Sequence, residues 1–470
     1  MLVAGVDSST QSTKVLLCEA ADGTIVARGS APHPGGTEAD PLAWRHALQQ
    51  AGEELLPRAA AIGIAGQQHG MVVLDENAEV IRPALLWNDL RSAGAAKALV
   101  AERGQRWWAE RTGSVPNASF TVTKLRWLAE HEPDKAARVY RVMLPHDFLT
   151  WLLLAGAPLA KEPVTDRGDA SGTGYFSPAD SAWLPDVAAD ALGHQVRLPR
   201  VAPPAEAVGE TTWGAVISAG TGDNMAAALG LGLAPGEIAV SIGTSGTAYA
   251  VTTVPSADPS GAIAGFADAT GRFLPLVLTV NAGLVLSATA RLTGTDLDGM
   301  SALALAAGPG AGGITLLPYL DGERTPDRPQ ATGVLRGLTT RNATAENLAR
   351  AGVEAVLASL AEVASMLAQL GEQRRVLLIG GGARSEAVRA LAPGIFGVPV
   401  DVPEPEEYVA IGAARQAAWA LAGTPDPPAW PRRPAERYEG PYQPGIRERF
   451  AALRDATTGW DGGLPGTLSP

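Results

Sequence analysis

Two turn sequences rich in small hydroxylated residues and glycine are the segments of this chain best suited to chemistry. The first runs from Asp7 to Lys14 and the second from Ser241 to Thr247, and each lies between two apolar runs typical of β-strands. A tight bend of such residues leaves backbone N–H groups uncovered, which suits phosphate oxygens. Because one turn occurs in each half of the chain, the pattern predicts a polyphosphate held between two related domains.

Two aspartates stand close to these turns in the sequence. Asp7 ends the first apolar run, where it can bond its own turn backbone or bind a magnesium ion that bridges phosphates. Asp223 follows Gly220 and Gly222 at a predicted strand-to-helix junction, where it can cap the helix or accept a proton from a sugar hydroxyl. The residues alone leave both pairs of alternatives open.

A mixed set of donors and acceptors follows the buried strand predicted over residues 61–65. It comprises Gly66-Gln67-Gln68-His69-Gly70 and then Asn88-Asp89 with Arg91. Amide, imidazole and carboxyl groups together suit the hydroxyls of a polyol. The alternative for His69 is a structural histidine with satisfied hydrogen bonds.

Several other kinds of site are not supported by the sequence. There is no Gly-x-x-x-x-Gly-Lys loop. The run from Gly308 to Gly313 contains a proline and lacks a strand-to-helix context, so we interpret it as a linker and not as a dinucleotide loop. Cys18 is the only cysteine and the six histidines have no spacing suited to a helical metal site, so we expect neither a disulfide nor a zinc site.

Length and composition indicate a folded two-domain protein. The chain has 470 residues, 46% of them hydrophobic and 18% charged, and exceeds what one core usually supports. Its net charge of −12 argues against nucleic acid or an anionic membrane as partner. Apolar stretches such as residues 148–160 are shorter than the about 20 residues that span a bilayer. We therefore predict a cytoplasmic protein with small-molecule partners.

The predicted elements around these residues follow an α/β plan. Asp40-Pro41 starts one helix, Thr344 caps a long helix that ends near Leu370, and a strand over residues 376–379 leads into a glycine-rich turn. We place the domains at 1–234 and 235–424. Residues 425–470, dense in proline and tryptophan, are expected to cover the surface as a tail without its own core.

Nine segments in sequence order resemble the FGGY carbohydrate kinases over nearly the whole chain. They are Asp7 to Lys14, Gly66 to Gly70, Leu86 to Arg91, Lys124 to His131, Gly222-Asp223-Asn224, Gly243 to Thr247, Leu317 to Pro326, Gly333 to Leu338 and Gly380 to Ser385. The resemblance implies two actin-like, ribonuclease H-like domains with an ATP and sugar cleft between them. The N-terminal domain would bind the sugar and carry the base, and the C-terminal domain would bind the nucleotide.

The resemblance also assigns roles to individual residues, with ATP and Mg²⁺ as cofactors. Asp223 would be the catalytic base, and Asp7 would bind the magnesium ion, with Asp223 as an optional second ligand. The residues expected to line the sugar are Gln68, His69, Asp89 and Asn224. The residues expected to bind the nucleotide are Thr10, Gln11, Thr13, Lys14, Gly243, Thr244, Gly381, Gly382 and Ala383.

Within the family, the Gln-x-His-Gly and Trp-Asn-Asp segments favour conversion of D-xylulose to D-xylulose 5-phosphate, since the glycerol-phosphorylating members carry Arg-Glu there. Ribulose, gluconate or another pentulose is the alternative substrate, and an actin-like ATPase or a sugar-responsive binding protein is the alternative class. A homodimer is left open. Three residues depart from the family pattern: Ser9 replaces a glycine, and Val388 and Ala390 replace tryptophan and glutamine.

Overall fold

The computed structural model describes residues 1–157 and 160–460 and confirms the α/β class. The chain forms two compact units. The first comprises residues 1–233, 252–275 and 406–432, and the second comprises residues 234–251, 276–405 and 433–470. Each unit is therefore built from three separate segments of the chain. The two contiguous ranges predicted from the sequence, 1–234 and 235–424, do not describe this exchange of segments.

Short strands and medium-length helices make up both units. The strands are β1 (Leu2–Ser8), β2 (Ser12–Glu19), β3 (Ile25–Pro32), β4 (Glu38–Ala39), β5 (Ala61–Gly66), β6 (Val72–Leu74), β7 (Ala84–Leu85), β8 (Arg141–Met143), β9 (Val164–Asp166), β10 (Phe176–Ser177), β11 (Ala182–Trp183), β12 (Arg200–Ala202), β13 (Ala207–Glu210), β14 (Val216–Ser218), β15 (Thr221–Gly222), β16 (Glu237–Ile242), β17 (Gly246–Ala250), β18 (Ala264–Ala267), β19 (Phe273–Thr279), β20 (Thr315–Leu317), β21 (Val334–Arg336), β22 (Arg375–Ile379), β23 (Val400–Pro403) and β24 (Ala435–Tyr438). The helices are α1 (Pro41–Gly52), α2 (Ala93–Arg103), α3 (Gln105–Thr112), α4 (Thr121–His131), α5 (Pro133–Ala136), α6 (Pro145–Leu153), α7 (Arg167–Ala170), α8 (Pro185–Leu192), α9 (Asp223–Leu231), α10 (Gly283–Leu292), α11 (Leu297–Ala306), α12 (Ala345–Ala368), α13 (Glu386–Phe396), α14 (Tyr408–Ala422) and α15 (Pro444–Ala456).

The central sheet of the first unit has the strand order β13-β14-β5-β1-β2-β3, with β15 also beside β5. β1, β5, β14 and β15 run parallel, whereas β2 and β3 extend the sheet as an antiparallel pair. Asp7 pairs with Ala65, and Thr221 and Gly222 pair with Ala65 and Gly66. The carboxyl ends of three strands therefore meet at one edge of the sheet.

One face of this sheet packs so closely on α14 that backbone atoms of the strands and the helix are in direct contact. A Cβ atom on Gly412 of α14 would lie 1.8 Å from the carbonyl oxygen of Ala226 on α9, and one on Gly5 of β1 would lie 1.9 Å from that of Ala410. Only glycine fits such contacts. The other face buries large side chains from α1 and α6. They include Trp44, Leu48, Phe148 and Trp151 against Val6, Ile62 and Ile64.

The second unit is built on a sheet with the strand order β19-β17-β16-β22-β23-β24. β16 and β17 form a hairpin on either side of the second turn, and β22 runs parallel to β16. The expected long helix is α12, whose cap Thr344 accepts a hydrogen bond from the backbone N–H of Asn347 at 3.2 Å. Its length and hydropathy would suffice to cross a membrane, but 78% of that apolar window is buried inside the unit, as in a core helix.

The expectation of a C-terminal tail without a core is wrong. Within residues 433–460, β24 adds a strand to the sheet beside β23, and α15 buries Ile446, Phe450 and Leu453. Arg437 of β24 donates to Asp401 of β23 at 2.8 Å. Pro444 is the first residue of α15, a position where proline is tolerated, so the proline content did not exclude these elements.

The contact between α14 and α9 predicts a large effect of one added methyl group. Gly412→Ala should lower the free energy of unfolding by about 3 kcal/mol or more, because the backbones must separate to admit the Cβ atom. The matched control is Gly94→Ala in α2, where a Cβ atom meets nothing within 4 Å, and it should stabilise the helix by about 0.5–1 kcal/mol. Urea unfolding of the two variants measures both values, and equal stabilities would contradict this packing.

Candidate active site

Asp7 lies at the carboxyl end of β1 with 5% of its surface exposed. Among the described residues, nothing donates a hydrogen bond to its Oδ1 atom. Burial raises the pKa of Asp7 to about 7, although Lys14 lowers it, and the carboxylate of Glu407 adds to the rise. A buried acceptor without a donor is costly, and a cation bound there would remove that cost. The geometry favours the ion-binding alternative over a turn residue that bonds its own backbone.

Lys14 donates to Glu407, with Nζ and Oε2 2.6 Å apart. Each side chain is about one-third exposed, at 35% and 36%. Glu407 immediately precedes α14, so 393 residues separate the partners in sequence. The lysine that we expected to bind phosphate is therefore held by a carboxylate in this structure.

Asp223 is the first residue of α9, and Gly222 occupies the N-cap position. The helix-cap alternative for Asp223 is therefore wrong. Its Oδ1 atom accepts hydrogen bonds from the backbone N–H of Asn224 at 2.7 Å and from Nδ2 of Asn224 at 2.9 Å. Burial raises the pKa of Asp223 to about 7, with a further contribution from Asp7. A carboxylate with such a pKa is matched to general-base chemistry near neutral pH.

The two aspartates form a donor set suited to magnesium in the presence of phosphate. Mg²⁺ usually binds one or two protein carboxylates and completes its octahedron with phosphate oxygens and water. Asp7 and Asp223 interact electrostatically, and Asp7 has an unsatisfied oxygen. Among the described residues no group of three or more His, Cys, Asp or Glu side chains could hold a metal by itself. The fit is thus to an ion shared with a phosphorylated ligand.

Gln68 and Asn224 form a direct pair next to Asp223. Asn224 Nδ2 donates to Gln68 Oε1 at 3.0 Å as well as to Asp223. Gln68 is 4% exposed, and its Nε2 donor has no partner among the described residues. A Cβ atom on Gly222 would lie 2.9 Å from Gln68 Cγ, so the glycine is needed for this approach. The unpaired amide is suited to a ligand hydroxyl.

His69 is the third polar residue after β5 and adopts a strained backbone conformation with φ of 67°. Its Nδ1 atom lies 2.6 Å from the carbonyl oxygen of Gly172, and its ring is 4.8 Å from Phe120 and 5.9 Å from Phe266, between centroids. Strain of this kind persists only where the surroundings fix it. The structural and the ligand-binding interpretations of His69 therefore both remain compatible with its contacts.

Lys124 contacts the His69 segment. The sequence placed it at the start of one of the nine family segments but assigned it no role. It is completely buried, and its Nζ atom donates to the carbonyl oxygens of His69, at 3.1 Å, and of Ser119. Burial lowers the pKa of Lys124 to about 7, although Asp89 raises it. The sequence signal for a buried lysine was its position in α4 among the apolar residues Val122, Leu125 and Leu128.

Asp89 is buried and uses both carboxylate oxygens. Oδ1 accepts from Arg91 Nε at 2.8 Å, and Oδ2 accepts from the Thr37 hydroxyl at 2.8 Å. Burial raises the pKa of Asp89, but the hydrogen bonds from Arg91 and Thr37 outweigh it and the net pKa is lowered. Asp89 is thus an ionised acceptor, and the adjacent Trp87 donates from Nε1 to Thr10 at 2.9 Å.

In the first turn, two of the residues expected to bind phosphate, Thr10 and Gln11, are at least partly exposed, whereas Thr13 is buried. Thr10 is half-buried and donates to Gln67 at 3.3 Å, and Gln11 is exposed. Thr13 is buried and its hydroxyl pairs with Nε2 of His33 at 2.7 Å. Ser9 is not among the described non-glycine residues with positive φ, so the serine at the family's glycine position causes no such strain.

The second turn and the glycine-rich segment after β22 lie together in the second unit. Gly243 and Thr244 are exposed. A Cβ atom on Gly382 would lie 2.2 Å from Ile242 Cγ2, whereas one on Gly381 would meet nothing within 4 Å. Ala383 is buried beneath them. The structure therefore gathers the expected nucleotide residues of this half, and it places the carboxylates of the candidate site in the first unit.

Because the pKa of Lys124 is lowered in the folded protein, Lys124 should make the free energy of unfolding increase with pH. A neutral residue at this position should not. Its pKa is about 7 in the folded protein and about 10.4 in an unfolded chain, so the unfolded state binds more protons between these values. The unfolding free energy of the native protein should therefore increase with pH relative to Lys124→Met over this range. Urea unfolding at pH 7 and pH 9.5 tests the sign. A constant difference between the two proteins would show that Lys124 is charged when buried.

Comparison with known proteins places these features in a family. Residues 2–230 match the N-terminal domain of the FGGY family of carbohydrate kinases, and residues 238–421 match its C-terminal domain. The chain is 47% identical over 441 residues to the xylulose kinase of Streptomyces coelicolor, which covers 90% of this chain and 88% of that protein.

The xylulose kinase of Bifidobacterium adolescentis superposes with a TM-score of 0.91 at 42% identity, covering 97% of this chain and 99% of that one. The gluconate kinase of Lactobacillus acidophilus has a TM-score of 0.88 at 22% identity, covering 98% and 99%, which shows the shared fold alone. The expected fold, two actin-like domains of the ribonuclease H-like type, is confirmed. The chain belongs to the FGGY family of carbohydrate kinases.

Proposed function

We propose that this protein phosphorylates D-xylulose with ATP and gives D-xylulose 5-phosphate and ADP. The observation that carries the proposal is the half-buried carboxyl group of Asp223, whose pKa is about 7 and which is oriented by Asn224. The 47% identity to a xylulose kinase over 90% of the chain supports this sugar. With ATP as co-substrate and the apolar helix α12 buried in its unit, we also place the enzyme in the cytoplasm.

In the proposed reaction, Asp223 accepts the proton of the sugar hydroxyl at carbon 5. The hydroxyl oxygen forms a bond to the γ-phosphorus of ATP, and the bond between that phosphorus and the β,γ-bridging oxygen breaks. ADP leaves with the electron pair of that bond, and the proton remains on Asp223 until it passes to solvent. Positioning and charge stabilisation supply most of the rate enhancement in such transfers.

Four polar side chains would hold the sugar or orient the base beside it. Asn224 orients the carboxylate and binds Gln68, and the unpaired Nε2 of Gln68 is available to donate to a sugar hydroxyl. Asp89 offers an ionised acceptor. His69, fixed between Phe120 and Phe266, would add a ring against the sugar.

In the first unit the first turn would bind phosphate, and in the second unit the glycine-containing segments would border the nucleotide. Thr10, Gln11 and Lys14 would contact phosphate oxygens, so that Lys14 exchanges Glu407 for phosphate. Gly243, Thr244, Gly381 and Gly382 would border the nucleotide, with Ala383 beneath them, and the buried hydroxyl of Thr13 would support the turn from below. A bound Mg²⁺, held by Asp7 with Asp223 nearby, would neutralise charge on the phosphates.

Asp223→Asn should reduce kcat by three or more orders of magnitude while KM for ATP and for xylulose changes little, because the amide keeps the shape but cannot accept the proton. Coupled measurement of ADP release gives both constants. The control is Asp186→Asn, another first-turn aspartate, exposed on α8, which should retain full turnover. Near-normal phosphorylation by Asp223→Asn would refute the role of this residue.

A sugar panel tests the substrate directly. With xylulose, ribulose, gluconate and glycerol at equal concentration, kcat/KM should be largest for xylulose. Gln68→Leu should raise the KM for xylulose by about 10- to 100-fold with the KM for ATP unchanged, because a buried hydrogen bond to the sugar is lost. Gln50→Leu, at an exposed site on α1, is the control. A preference for ribulose or gluconate would replace xylulose as the substrate but leave the kinase assignment standing.

A further inference from the structure

Four ionisable side chains are buried behind Asp223 and take no part in the proposed reaction. They are His146, Asp147, Asp166 and Asp169, and none is more than 2% exposed. A charged group that is buried without a partner destabilises the folded state strongly. Such a cluster must therefore be held by close mutual contacts, which the structure shows.

The imidazole of His146 lies between carboxylates from two different elements. Its Nδ1 atom is 2.6 Å from Oδ2 of Asp169 on α7, and its Nε2 atom is 3.3 Å from Oδ1 of Asp147 on its own helix α6. Asp166 Oδ1 is 4.0 Å from Nε2. One ring thus connects the start of α6 with α7.

The charges of the cluster support this arrangement. Burial lowers the pKa of His146, but Asp147, Asp169 and Asp166 outweigh it and raise the pKa to about 9. The ring is therefore protonated near neutral pH: Nδ1 donates to Asp169, whereas Nε2 faces Asp147 at ion-pair distance without a hydrogen bond among the described residues. Burial raises the pKa of Asp147 to about 7 and of Asp169 to about 6, and the protonated ring lowers both. The other ionisable groups facing the cluster are Tyr175, Arg167 and Asp223.

A chain of hydrogen bonds leads from this cluster to the segment that carries Asp223. Asp166 caps α7 by accepting from the backbone N–H groups of Gly168 at 2.8 Å and Asp169 at 2.9 Å. Its Oδ2 atom also accepts from the hydroxyl of Thr221 at 2.8 Å. Thr221 is on β15, two residues before Asp223. His146 therefore reaches the base through Asp169, Asp166 and Thr221.

The ring of His146 also fixes two backbone segments by contact. A Cβ atom on Gly220 would lie 2.5 Å from its Cδ2 atom, and one on Gly66 would lie 3.0 Å from its Cβ atom. Gly66 leads into Gln68 and Gly220 leads into Asp223. Gln416 of α14 holds the carbonyl oxygen of Gly220 at 2.9 Å. The base-bearing segment is therefore fastened to α14 and to the His146 cluster.

We propose that His146, acting through Asp169, Asp166 and Thr221, is a positioning residue that sets the place of Asp223 relative to the sugar hydroxyl. The inference rests on the proposed function, since it takes Asp223 as the base. Its physical reason is that a misplacement of the order of 1 Å in a proton-transfer geometry can cost about 100-fold in rate, with no lost contact to either substrate.

Thr221→Val tests the proposal, because valine has nearly the shape of threonine but cannot donate to Asp166. We expect kcat to fall about 10- to 100-fold while the KM values for xylulose and ATP stay within about twofold. Thr221→Ser keeps the hydroxyl and should restore kcat to within about threefold of the native enzyme. A valine variant with kcat within twofold of native, or a serine variant as slow as valine, overturns the proposal.

The second variant, His146→Gln, distinguishes positioning from general stabilisation. The native protein should show a far-downfield imidazole proton resonance that disappears in His146→Gln, and absence of that resonance from the native spectrum overturns the proposal. Thermal unfolding of Thr221→Val confirms that rates are compared on folded protein. If Asp223→Asn keeps its turnover, the proposed function fails first; if Asp223→Asn is inactive and Thr221→Val is fully active, only the positioning role fails.

Discussion

Burial of carboxyl groups at the carboxyl end of the first unit's parallel strands is the constraint that organises the candidate site. Burial at the strand ends raises the pKa of Asp7 and of Asp223 to about 7. The same burial makes every unpaired oxygen costly. Asp223 is oriented by Asn224, the next residue, which also donates to Gln68 from a distant part of the chain. Asp7 keeps one oxygen without a donor among the described residues.

That burial depends on backbone packing that admits no side chain. Gly5 of β1 and Gly412 of α14 let the helix lie directly on the strands. Larger residues at these positions would lift α14 away and admit water at the strand ends. The residues that follow the strands are then fixed at short range: Gly222 lets Gln68 approach, and Gly66 and Gly220 accommodate His146. Small residues set the geometry, and the polar residues next to them supply the chemistry.

The sequence predicted what is encoded locally. The apolar runs on either side of each turn predicted both hairpins, Asp40 and Thr344 predicted two helix starts, and the glycines before Asp223 indicated a strand-to-helix junction. What the sequence could not predict depends on residues far apart in the chain. Lys14 meets Glu407 across 393 residues, and Thr221 meets Asp166 across 55. β24 and α15 were missed because a proline-rich composition describes the connections around them, and not the pairing of β24 with β23 or the apolar face of α15.

The two turns that look alike in sequence differ in electrostatics. The first stands beside Asp7, Lys14 and Glu407, so its charges must be compensated before and after a phosphate binds. The second carries no charged residue and exposes Gly243 and Thr244, and the segment after β22 contributes Gly381 and Gly382, which have no side chain. A neutral, uncovered backbone can bind a nucleotide with little reorganisation of charge. A charged site must exchange one ion pair for another. The ionisable chemistry therefore belongs to the first unit, and His146 and its carboxylates extend it into the interior.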